Sequence, residues 1–135
     1  MKSYSDYRED VAQKKVDVEV LAEGDTIRIF FDYQAVSETR TENGKSVPHK
    51  YTVCENVDVK GGRSYADIVS AIVSDRYDSD QVQAIIANYT EATSEPSVLK
   101  LAQEKKEEYK KEYAAYQQWR AHAKEIAKKV ESLIN

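Results

Sequence analysis

From Ser97 to about Leu133 the chain contains neither Gly nor Pro. Nothing in that stretch interrupts a helix, and Pro96 suits its first turn, with Ser94 or Glu95 near the cap. At 1.5 Å per residue such a helix spans roughly 55 Å. The preceding 95 or so residues make a body with a radius of gyration near 12–13 Å. A straight helix of that length outruns the body, so the sequence predicts that it projects. The expected division is a small α+β body over residues 1–95 and a long helix over 96–135, either part of the same domain or an oligomerisation element. The full 135 residues amount to one ordinary domain.

The first half of this helix has little to bury, with four Glu and four Lys between Glu104 and Glu112. The second half differs. Tyr116, Trp119, Ala123, Ile126, Val130 and Leu133 recur at alternating three- and four-residue spacing, a short heptad-like seam. One reading is a stripe packed on its own domain. The other, favoured by helix length, is contact with a second chain. Tyr109, Tyr113 and Tyr116 share one side of the helix and join Trp119, Ile126, Val130 and Leu133 as interface candidates. The expectation is a homo-oligomer built through the C-terminal helix.

The body begins with strands. Lys2 to Gln13 is polar and reads as a loose arm or short helix. Val16, Val18 and Val20 then alternate with acids, and Ile27, Ile29, Phe31 and Tyr33 alternate after a turn at Gly24-Asp25. That turn sets Val20 opposite Ile29, Val18 opposite Phe31 and Val16 opposite Tyr33. Asn43-Gly44 is a strong hairpin signal for a second turn. Its two-residue loop pairs odd positions with even ones, yet Tyr51, Val53, Val57 and Val59 are apolar at odd positions on the return strand. A one-residue slip reverses the faces. The conflict predicts a β-bulge between Ala35 and Lys50, near Pro48. The outcome is a three-stranded antiparallel meander with a polar, protruding tip.

Two short helices should cover it. Ser64 to Asp67 reads as a capping box for a helix over 65–76, carrying Ile68, Val69, Ile72 and Val73. Asp78 to Gln81 is a second box, starting a helix that reaches Tyr89 or Ala92 with Val82, Ile85, Ile86 and Tyr89 inward.

Charge narrows the function classes. Residues 1–97 carry a net of −7 and residues 98–135 a net of +3. An acidic body argues against nucleic acid, which needs a basic footprint. No apolar run approaches a membrane span, and the segment after Lys2 lacks the apolar core of a signal peptide. The single Cys54 permits no internal disulfide and no paired-cysteine zinc site. These features point to a soluble protein of a reducing compartment.

No catalytic, metal or cofactor constellation stands out. His49 and Cys54 are five apart on an expected strand and so face opposite ways. His122 lacks metal-ligand neighbours four residues away and reads as a surface histidine. Asp75, Asp78 and Asp80 lack the central Gly and bidentate Glu of a calcium loop. Gly61-Gly62 lacks the further glycines of a dinucleotide loop.

Two segments carry a resemblance. Tyr65-Ala66-Asp67-Ile68-Val69 through Tyr77-Asp78-Ser79-Asp80-Gln81-Val82 to Tyr89 is one. Glu112-Tyr113-Ala114-Ala115-Tyr116-Gln117-Gln118-Trp119-Arg120, followed by Ala123-Lys124, is the other. Together they resemble small phage- or prophage-encoded proteins of gut bacteria, of the tail and virion accessory kind. The resemblance implies a setting, the cytoplasm of a bacterial host or the virion, and no catalytic residues. The expected function is that of a non-enzymatic structural or assembly protein acting through protein–protein contacts. The alternative is a small monomeric module that docks a host or phage protein. An unrecognised hydrolase is a third reading.

Overall fold

Full burial of Ile27, Ile29 and Phe31 organises the molecule. The computed structural model describes residues 1–94 and 101–134. The three side chains belong to β3 (Thr26–Glu42), which pairs with β2 (Val18–Glu23) on one side and β4 (Lys45–Lys60) on the other. Gly24 makes the first turn at φ +61°, and Val20 faces Ile29 and Val18 faces Phe31, as the alternation requires. The ladder stops at Val18, so Val16 has no partner in Tyr33. Asn43 and Gly44 both take positive φ, which is the type I′ turn their sequence encodes.

The register slips once, as the parity conflict demands, but not where it was expected. Phe31 pairs with Glu55 and Gln34 with Val53, so Asp32 and Tyr33 together oppose Cys54. The bulge lies before Ala35, and Pro48 pairs regularly with Thr39. The expected position assumed that Tyr33 shares a face with Phe31. Asp32 takes φ +54°, a left-handed conformation that Asp tolerates better than most residues. The kink turns Tyr33 to the opposite face of the sheet, where its hydroxyl bonds Glu19.

The sheet has four strands, in the order β1-β4-β3-β2, rather than three. The added strand β1 (Lys2–Asp6) pairs antiparallel with β4 from Lys2↔Glu55 to Asp6↔Tyr51. It is mostly exposed and held by backbone pairing, so it leaves no hydrophobic alternation to read. A single turn of helix, α1 (Glu9–Ala12), follows it and buries Val11.

The capping boxes form as spaced. Ser64 and Asp67 bond reciprocally at the start of α2 (Tyr65–Arg76), and Asp78 and Gln81 do the same for α3 (Ser79–Thr93). The cover of the sheet is a different matter. Ile68 and Ile72 of α2 join Trp119, Ala123, Ile126, Ala127 and Val130 of α4 (Gln103–Ile134) over the sheet residues Ile27, Ile29, Phe31, Val57 and Val59. α4, not α3, is the second cover. In α3 only Ala92 is buried, while Ile86 is 45% exposed. α3 leans instead on α4, with Tyr89 stacked on Tyr113 at 3.8 Å between centroids. The expected helix start at Pro96-Ser97 lies outside the described residues. The first turn of α4 is marked by Lys106 N–H donating to Ala102 O at 3.1 Å.

Candidate functional site

Two features of the sheet are not absorbed by the core. The first is a groove on the face away from α2 and α4. Alternation in β2 and β3 sends Glu19, Leu21 and Phe30 to that face, and the bulge adds Tyr33. Arg8, just ahead of α1, is strapped across it. Its backbone N–H donates to Thr52 Oγ1 at 2.9 Å. Its guanidinium bonds Asp10 at 2.7 and 3.1 Å and Glu19 Oε1 at 2.6 Å, and lies 5.5 Å from the centroid of the Tyr33 ring. The groove encloses about 450 Å³ and has Cys54 in its wall.

The electrostatics are those of a closed network. Hydrogen bonds from Arg8 and then Tyr33 hold the Glu19 carboxyl below its usual range. The Arg8 guanidinium does the same to Asp10. Burial, followed by the bond to Glu19, pushes the Tyr33 phenol above its ordinary value. Burial, then the nearby Glu19 charge, pushes the Cys54 thiol up. A thiol 7% exposed and held protonated is a poor nucleophile. His49 stands on the opposite face of β4, five residues away in a strand with no irregularity of its own. The groove therefore offers shape and an apolar wall, but no histidine base and no activated nucleophile.

This network gives the first test. A carboxyl whose folded pKa is depressed contributes stability at neutral pH. That stability is lost as pH falls through the ordinary carboxylate range and below. Glu19 and Asp10 both have this sign. Arg8→Ala is expected to lower the thermal midpoint at pH 7 and to flatten its decline between about pH 5 and pH 3. Equal slopes for variant and wild type in a pH series of melts would contradict the assignment.

The second feature is a ribbon. β1 pairs with β4 only as far as Tyr51, and β2 pairs with β3 only as far as Phe31. Residues 37–50 continue as a two-stranded hairpin, exposed except for half-buried Val47 and His49. Six residue pairs carry it about 20 Å beyond the sheet.

The C-terminal candidates fall differently from expectation. Tyr116, Trp119, Ile126 and Val130 are buried in the chain's own core, so they offer no surface to a second copy. The seam is the stripe packed on its own domain, because the second half of α4 lies over the sheet. Tyr109 and Tyr113 are half-buried, and Leu133 is 58% exposed. His122 is not a plain surface histidine: its Nε2 lies 2.6 Å from Asp32 Oδ1, and its ring approaches Phe31 and Trp119.

Among the described residues, no three His, Cys, Asp or Glu side chains are grouped to hold a metal ion. No described helix is long and apolar enough to cross a membrane. No family model matches the chain, and comparison with curated proteins and with solved structures finds no match.

Proposed function

We propose that this chain is a non-enzymatic structural or assembly protein that works through protein–protein contacts. The observation that carries the reading is the ribbon over residues 37–50, which extends past both neighbouring strands with its backbone edges uncovered. A two-stranded hairpin is marginal on its own in water. A partner that orders it gains main-chain hydrogen bonds at little steric cost. The groove supports the same reading from the other direction. Its charged and phenolic groups satisfy one another, which suits a scaffold better than proton transfer. A phage or prophage setting, in a bacterial cytoplasm or a virion, rests on the resemblance of residues 65–89 and 112–124.

Burial of the helical seam favours docking through the ribbon over a coiled coil of C-terminal helices. The test is site-specific photo-crosslinking in the producing cell. A photoreactive phenylalanine analogue at Ser46, in the ribbon, is compared with one at Lys111, on the exposed side of α4. The expected result is a discrete protein adduct from Ser46 that Lys111 does not give. No adduct from the ribbon, or equal adducts from both positions, would overturn the proposal.

A further inference from the structure

The two edges of the ribbon differ. The type I′ turn at Asn43-Gly44 makes Glu42↔Lys45 a pair that exchanges both backbone hydrogen bonds. Pairs then alternate along an antiparallel ladder. Arg40↔Val47 and Glu38↔His49 exchange bonds. Thr41↔Ser46, Thr39↔Pro48 and Ser37↔Lys50 do not, so their backbone groups point outward. Pro48, which has no N–H to donate, occupies one of these outward positions, and it blunts the β4 edge. The β3 edge carries Ser37, Thr39 and Thr41, each with an N–H and a C=O directed away from the hairpin. All three are exposed, and among the described residues no strand pairs there.

We infer that the chain pairs with a second copy of itself, antiparallel and two-fold symmetric, through this β3 edge centred on Thr39. Parity admits any two-fold that sits on a residue, because outward odd positions then face outward odd positions. A two-fold at Thr39 makes Thr39 and its symmetry mate a bond-exchanging pair, and Ser37 exchanges bonds with the partner's Thr41. Side-chain chemistry favours Thr39 among these. The same register sets Glu38 opposite the partner's Arg40 and Arg40 opposite the partner's Glu38, both on one face. In the single chain these two residues already lie 3.7 Å apart on that face, so the pairing exchanges one intrachain contact in each chain for two interchain ones between them. Moving the axis one residue, to Arg40, would still pair outward groups but would oppose Arg40 to itself and Glu38 to Glu42. Cross-strand pairs of opposite charge are favourable, and like pairs are not. Thr at the centre suits a strand edge by shape.

This inference rests on the protein–protein reading above and names its partner as a second copy. The test is the mass of the purified full chain by sedimentation equilibrium up to about 300 μM, a range that captures even weak specific association. Wild type is expected to dimerise. Thr39→Pro removes the central outward N–H but no bond of the chain's own ladder. It should give a monomer with an unchanged circular dichroism spectrum. Glu38→Arg and Arg40→Glu each turn two opposite-charge pairs into like-charge pairs and should weaken the dimer about tenfold or more. An equimolar mixture of those two variants restores both pairs and should dimerise again. A monomeric wild type overturns the inference, as does a dimer unmoved by all three substitutions or a mixture that fails to recover. A monomeric wild type that still gives a ribbon-specific adduct to another protein leaves the docking reading standing. Absence of any such adduct removes that reading instead.

Discussion

Ile126→Glu is expected to abolish the cooperative fold, not to produce a folded protein of altered mass. Ile126 is 4% exposed and belongs to the cluster that joins α4 to the sheet. A carboxylate there must shed its hydration without a cationic partner, or stay protonated at a cost. Substitutions that bury an uncompensated charge fall in the rare class above about 4 kcal/mol. A domain of this size holds about 5–15 kcal/mol in total. The expected record is loss of the sigmoidal melt by circular dichroism. Trp119, the only tryptophan, should shift its emission to the red as it becomes hydrated. Leu133→Glu, on the same helix but at a position 58% exposed, should melt as wild type does. A folded Ile126→Glu chain with native melting would return the seam to the surface and contradict the packing.

What the sequence reveals and conceals follows from which forces leave a pattern. Capping boxes are local, with donor and acceptor three residues apart, and Ser64/Asp67 and Asp78/Gln81 close as their spacing says. The Val18–Phe31 and Val20–Ile29 pairs follow from a tight turn and period-two burial, which are also local. The bulge is legible as a necessity, because the parity of the Asn-Gly loop conflicts with the parity of the apolar positions. Its position is not legible. Tyr33 extends the apolar alternation, yet its hydroxyl is satisfied by Glu19 on the other face. Periodicity counts the ring and cannot see the bond. β1 is invisible because backbone pairing and a few polar and aromatic contacts hold it, with no buried apolar alternation. The Arg8 network joins residues scattered over three elements, with no fixed spacing to announce it. The seam of α4 was readable as a stripe, but a stripe does not state what covers it. Chain length suggested a projecting helix, whereas Phe31, Val57 and Val59 supply a surface on which its second half lies.

Trp119→Ala should be the costliest truncation in the core. The indole is where three elements meet. Its Nε1–H donates to Ile72 O of α2 at 3.2 Å, and Phe31 of β3 lies 6.1 Å away between ring centroids. The Arg76 guanidinium carbon lies 3.5 Å from the ring centroid. Truncation leaves a cavity where α2, α4 and β3 converge, and aromatic-to-alanine changes of this kind cost about 3–5 kcal/mol. Loss of the cation–π contact adds about 0.5–1 kcal/mol at a site this open to solvent on the Arg76 side. Trp119→Phe keeps a ring against Phe31 and gives up the N–H bond and part of the volume, for about 1–2 kcal/mol. Urea titrations followed by circular dichroism give both values on one scale. The order wild type, then Phe, then Ala is the expected result. A single shared cost for the two variants would mean that the indole N–H bond, and not the filled volume, holds α2 to α4. A cost below about 1 kcal/mol for Trp119→Ala would mean that the residue is not a core residue at all, since full burial of a large side chain cannot be removed so cheaply.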